Sequence, residues 1–308
     1  MDGIENNNNR ILSLDILRII ACLGVISIHT MPIWVRFVSP WSVSLFVLIS
    51  GSLLLNKDET FAQFIHKRVI RIPIVFAVWS ILYTVINLCE KNVDGIPITY
   101  KDTFIDLVSG KYHMWFLFMI WGLYLLLPAY RLINRSEYLK YIVLVLILFS
   151  VIIPSVQELK WFHWSEYETG IINLGVFYYP LCFLTGSFLS QNKLSRKYEI
   201  GIIAGGIVGL IMILLGIGTL LRDYMCVIAV FYWLYHYVQV TNTKLRKAVY
   251  TISECTFGMY LMHDMFITFF KRVFNVRSAE LKFFFVVICA FVMTYIVRKI
   301  PKIGKYIT

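Results

Sequence analysis

Charge is scarce in this chain. Of 308 residues only 15% are Asp, Glu, Lys or Arg, whereas 59% are apolar and 16% aromatic. A soluble domain carries about a quarter charged residues, so this composition excludes a water-soluble globule and implies a polytopic membrane protein. Acidic groups are the scarcer sign, 18 against 29 basic ones, and the net charge is +11. In a membrane protein such an excess is read first by its placement between spans, and it requires no nucleic-acid partner. The six cysteines (Cys22, Cys89, Cys182, Cys226, Cys255 and Cys289) never stand in CxxC spacing and fall mostly in or beside apolar runs. That pattern argues against a disulfide framework and against a zinc site, and no metal is expected. Residues 1–10 lack a basic n-region and a small-residue cleavage site, so they read as a polar cytoplasmic leader. No internal two-fold repeat is visible.

What is present begins with Arg10 to Met31, RILSLDILRIIACLGVISIHTM. The run is long enough to cross a bilayer, which needs about 20 apolar residues, yet Asp15, Arg18 and His29 lie inside it. Ionisable groups at that depth are costly and mark a functional site by default. At about 100° per residue, Arg18 and His29 fall about 20° apart around the helix axis, and about 16 Å apart along it. They share a face without touching. Asp15, three residues before Arg18, is placed to pair with it, and Cys22 falls on the same arc. The expectation is a polar stripe that faces a protein interior.

Apolar runs separated by charged or turn-rich segments predict an all-α protein of about ten transmembrane helices around a polar cavity. The spans fall near 11–31, 37–55, 72–89, 114–130, 141–156, 171–190, 200–217, 220–240, 256–274 and 279–297. With the amino terminus inside, 18 basic residues lie on the inner side and ten on the outer, Arg18 being within a span. The positive-inside rule then places both termini in the cytoplasm. Between the second and third spans, Phe61, Phe64, Ile65 and Val69 recur at helical spacing among His66, Lys67, Arg68 and Arg71. This pattern predicts an interfacial helix over about 57–71, with Pro73 opening the next span. An outer segment rich in Trp161, His163, Trp164, Glu166, Tyr167 and Glu168 suits a membrane-water boundary or a sugar-binding rim.

Several motifs recur in order along the chain. Leu14-Asp15-Ile16-Leu17-Arg18 is followed by ten residues and His29; Ser44 to Gly51 ends in Ile49-Ser50-Gly51; Lys67-Arg68 precedes Arg71 and Pro73. Further on come Tyr112-His113-Met114-Trp115-Phe116-Leu117, Phe183-Leu184-Thr185-Gly186, and Ser253 to His263. Together these resemble the acyltransferase-3 family of bacterial membrane O-acyltransferases, which modify cell-surface glycans. The Arg-x10-His pair and the His-x-Trp element are the more specific parts of the likeness. The resemblance implies a single membrane acyltransferase domain over 11–308 in the bacterial cytoplasmic membrane. It implies acetyl-CoA or another acyl-CoA as donor, and a glycan or lipid-linked sugar as acceptor. The chain is short for that family and lacks the extracytoplasmic hydrolase-like domain that some members carry.

Acyl transfer from a thioester to a sugar hydroxyl needs a base, donors for the developing oxyanion and cations for the coenzyme's phosphates. His29 is the candidate base, since imidazole ordinarily titrates near neutral pH, and Asp15 and Arg18 complete the catalytic set. Arg18, Arg68 and Arg71 are candidates for holding the donor, because the guanidinium fork suits phosphate. His113, Trp115 and His263 are candidates for the acceptor side. Each has a structural reading too: Asp15 with Arg18 as a buried pair, His29 at a helix end, Arg68 and Arg71 as positive-inside residues. His113 and His263 would then be hydrogen-bonded structural histidines and Trp115 an aromatic-belt residue. Ten spans with buried charge also describe a transporter, or a non-catalytic component of polysaccharide export.

Overall fold

A computed structural model of the protein describes residues 11–32, 41–158, 177–274, 278–301 and 304–308. The leader 1–10 and the aromatic segment from Trp161 to Glu168 lie outside the described residues. Among those described, regular structure is helical throughout: α1 (Leu12–Thr30), α2 (Trp41–Leu54), α3 (Phe61–Val93), α4 (Tyr100–Ser109), α5 (Trp115–Leu125), α6 (Leu127–Arg135) and α7 (Leu139–Val156), then α8 (Tyr178–Gln191), α9 (Arg196–Leu214), α10 (Leu220–Tyr237), α11 (Thr243–Val273), α12 (Ala279–Val297) and α13 (Gly304–Ile307). By length and composition, five of these can cross a membrane: α1, α3, α7, α9 and α12. A sixth span results if the pair Tyr100–Leu125 and Leu127–Arg135, bent by 57°, counts as one.

That falls short of the roughly ten spans expected from the sequence, and the remaining apolar runs lie on shorter or more polar helices among the described residues. The helix α2 has 14 described residues, about 21 Å of rise against a hydrocarbon core of about 30 Å. The helix α10 carries Arg222 and Asp223 in its first turn, ion-paired at 2.7 Å. Lipid-facing character shows on α9, where Ile203, Ile207, Leu210 and Leu214 follow one another at helical spacing and are all exposed. A flanking face carries Gly206 and Gly209, where an added Cβ would meet Ala229 and Cys226 of α10.

Proline accompanies a bend or a π-helical turn in α3, α6 and α7. It supplies no N–H and so leaves the carbonyl four residues earlier without its usual donor. Pro73 follows a π-helical turn, Ile65–Ile70, and Val69, four residues before it, gives its carbonyl oxygen to Trp121 Nε1 at 2.9 Å. Because the freed carbonyl finds that partner, the helix does not break. Phe61–Val93 therefore runs on as one element, where the sequence pattern predicted a surface helix and then a separate span. Pro154 sits just after a second π-helical turn, Leu148–Ile152, and Pro128 opens the bent helix α6.

The chain divides into two compact units, one built from residues up to Asn56 and from Tyr130–Thr256, the other from Lys57–Ala129 and Phe257–Thr308. In the first, α2 and α8 pack backbone to backbone. A Cβ on Gly51 would lie 1.9 Å from the Phe183 carbonyl oxygen, and one on Gly186 would lie 2.0 Å from that of Leu48. A polar knot closes one end of this pair. Arg131 donates twice to the Leu54 carbonyl at 3.1 and 3.0 Å, the cation at a helix carboxyl end that the helix dipole favours. Asn134 and Gln191 both donate to Asn56 Oδ1, at 2.9 and 2.6 Å.

In the second unit α3 is the hub. Tyr83 donates to the Leu261 carbonyl of α11 at 2.7 Å, and Trp79 donates to the Ile307 carbonyl of α13 at 2.9 Å. Asn87 donates to Asp106 of α4 at 2.5 Å, with Lys91 3.4 Å from the same carboxylate.

Candidate active site

The first cluster is built on α1. Asp15 lies in its first turn, where the helix dipole favours a carboxylate, and it is fully buried. Two donors converge on one of its oxygens: Arg18 Nη1 at 2.7 Å and Ser253 Oγ of α11 at 2.7 Å. The Arg18 side chain remains 28% exposed. One turn farther on, Cys22 is buried and its Sγ donates to the Thr256 carbonyl at 3.4 Å. Thr256 Oγ1 in turn donates to the Ser253 carbonyl at 2.8 Å. The predicted arc of Asp15, Arg18 and Cys22 is thus a seam against α11. His29 is half-buried in the last turn of α1, eleven residues beyond Arg18 on the same face.

Sequence reasoning paired Asp15 with Arg18 but missed Ser253 as their third member. Its position at the head of the Ser253 to His263 motif was the available signal. The contact itself joins residues 238 apart in sequence, a pairing that only the fold discloses.

The second cluster belongs to the other unit. A single 3-10 turn, Tyr112–Met114, delivers His113 into a buried position before α5 begins. Its ring lies edge-on to His263 at 4.8 Å, to Tyr83 at 5.4 Å and to Tyr260 at 5.7 Å, and the Tyr260 hydroxyl donates to the His113 carbonyl. His263, also buried, bonds through Nδ1 to the Tyr260 carbonyl. A carbonyl only accepts, so Nδ1 carries the proton, and in the neutral ring Nε2 is the basic nitrogen. Beside them Asp264 accepts from the Tyr112 hydroxyl at 3.0 Å and lies 3.8 Å from Lys111.

The structure therefore brings His113 and His263 together. Trp115 is 46% exposed, with its ring edge-on to Phe116 at 6.5 Å. Arg68 donates to Glu59 at 2.9 Å and sits over the Tyr124 ring. Arg71 donates to the carbonyls of Lys305 and Tyr306, each at 3.3 Å, and stacks on the Tyr306 ring. The two arginines stand three residues apart on one helix but are held by different partners.

A sequence profile of the acyltransferase-3 family, described as an acyltransferase domain, matches residues 11–298. The chain belongs to the acyltransferase-3 family. Among curated proteins it is similar to an amino-acid racemase of Enterococcus faecalis, 26% identical over 221 residues. That match takes in 63% of this chain but only 30% of the racemase's length. No solved structure matches.

A membrane acyltransferase needs a proton acceptor and a cationic anchor for an anionic donor. The α1 face carries an imidazole and a guanidinium separated along the axis by about half the thickness of a bilayer core. Cys22, buried and donating to a main-chain carbonyl, is placed as a packing residue. Among the described residues no three His, Cys, Asp or Glu side chains gather as a metal set would require.

Proposed function

We propose that this acyltransferase moves an acetyl or other short acyl group from acyl-CoA to a hydroxyl of a cell-envelope glycan or its lipid-linked precursor. The observation that carries the reading is Arg18, held on buried Asp15 at 2.7 Å, with His29 on the same helical face. In this reading Arg18 anchors the phosphates of the donor, with Arg68 and Arg71 adding positive charge. His29 takes the proton of the acceptor hydroxyl as its oxygen attacks the thioester carbonyl. The C–S bond breaks, the ester forms, and the proton passes to the departing thiolate to give free coenzyme. His113, Trp115 and His263 serve the acceptor, and no metal takes part. The protein sits in the bacterial cytoplasmic membrane with about ten spans and both termini in the cytoplasm.

The test is the mass of the surface glycan in cells with and without this protein. A loss of one acyl unit per modified sugar in its absence is the expected result, and the mass difference names the acyl group. An unchanged glycan would remove the acceptor from the reading.

A further inference from the structure

Hydroxyls inside apolar helices ordinarily return to their own helix, donating to a carbonyl three or four residues back. Thr30 bonds to Ile26, Ser150 to Leu146, Ser52 to Ile49, and Thr256 to the carbonyl of Ser253 itself. Ser253, like Ser13, Ser44 and Ser80, bonds to another element instead, but its acceptor is a carboxylate: its hydroxyl crosses to α1 and donates to Asp15 Oδ1 at 2.7 Å. That is the oxygen on which Arg18 also rests. Both Ser253 and Asp15 are buried, where a polar group left unpaired is costly and a satisfied network is rigid.

We infer that Ser253 is a positioning residue for the donor site. By occupying one lone pair of Asp15 Oδ1, it fixes the carboxylate rotamer, and the fixed carboxylate holds the Arg18 guanidinium in one orientation toward the coenzyme's phosphates. The seam one turn away, Cys22 to the Thr256 carbonyl and Thr256 to the Ser253 carbonyl, holds the backbone of Ser253 in register with Asp15. This inference rests on the reading of Arg18 as the donor's anchor. Ser253 itself touches neither donor nor acceptor, so its removal is expected to alter binding of the donor rather than the chemical step.

The test is steady-state kinetics of purified, reconstituted protein with acetyl-CoA as the varied substrate. Ser253→Ala raises KM for acetyl-CoA about tenfold, the worth of one hydrogen bond to a charged group, while kcat stays within about twofold. Ser253→Thr, which keeps the hydroxyl, restores KM. In an Asp15→Asn background Ser253→Ala adds little further. Should the alanine variant not fold, Ser253→Cys, of nearly the same size but a weak donor, takes its place. An unchanged KM, a threonine variant as impaired as the alanine, or an equal effect in the Asp15→Asn background would overturn the inference. Arg18→Ala separates the two levels. If it leaves KM for acetyl-CoA unchanged, the anchor reading falls; if it raises KM and Ser253→Ala does not, the positioning role alone falls.

Discussion

Trp121 Nε1 donates to the Val69 carbonyl oxygen at 2.9 Å, and that carbonyl is the one Pro73 deprives of its usual helical donor. The bond lets α3 continue through its π-helical turn, and so joins the basic run His66 to Arg71 to a long membrane helix. Trp121→Phe, which keeps a ring but removes the donor, is expected to destabilise the protein by about 1 kcal/mol. In a Pro73→Ala background, where a main-chain N–H returns, the loss is expected to shrink. Unfolding midpoints of the four proteins in one detergent check this. Strict additivity of the two substitutions would contradict it.

The glycines of two sequence motifs make an equally specific prediction. Gly51 and Gly186 have no room for a Cβ, and the atoms in the way are backbone carbonyls that cannot rotate aside. Gly51→Ala or Gly186→Ala is expected to force α2 and α8 apart at about 3 kcal/mol or more, seen as loss of folded, monodisperse protein. Gly122→Ala is the control, since nothing lies within 4 Å of its added Cβ. It should leave stability unchanged or slightly raised.

These two cases mark how much was legible beforehand. Hydropathy located the longer apolar helices, because apolar runs and the charged turns between them are local features, but the helices α4 and α13 fall outside the predicted spans. It divided residues 57 to 93 into a surface helix and a span because Pro73 reads as a helix start, and the compensating donor, Trp121, lies 52 residues away in sequence. The α1 stripe was legible as a face because Asp15, Arg18 and His29 share one helix. Ser253 was not, because its role depends on which distant helix packs there. The convergence of His113 and His263 was likewise hidden, whereas their separate presence in two motifs was plain. Arg71 was expected at a phosphate, and its bonds to the Lys305 and Tyr306 carbonyls could not be read from a local run of basic residues.

Acid should loosen one contact in the second unit. Two N–H donors of Arg272 grip the Asp94 carboxylate, with Nη2 at 2.7 Å, and this holds the Asp94 carboxyl below its ordinary range. A depressed carboxyl stabilises the fold above its unfolded value, about 3.9, and that contribution is lost as pH falls through the folded value. The pair is exposed to solvent, so the effect is small and screened by salt. Wild type is expected to exceed Asp94→Asn in unfolding midpoint at pH 6, with the difference vanishing by about pH 2.5 and shrinking in high salt. A difference that survives at the lowest pH would show that charge is not its source.

The central claim is that the imidazole at the far end of α1 takes the acceptor's proton. The direct measurement is acyl transfer from acetyl-CoA by reconstituted His29→Ala beside wild type, with unfolding midpoints taken on the same samples. Turnover lowered by about 10²- to 10⁴-fold in a protein of unchanged stability is the predicted result. Wild-type turnover by the His29→Ala protein would contradict it.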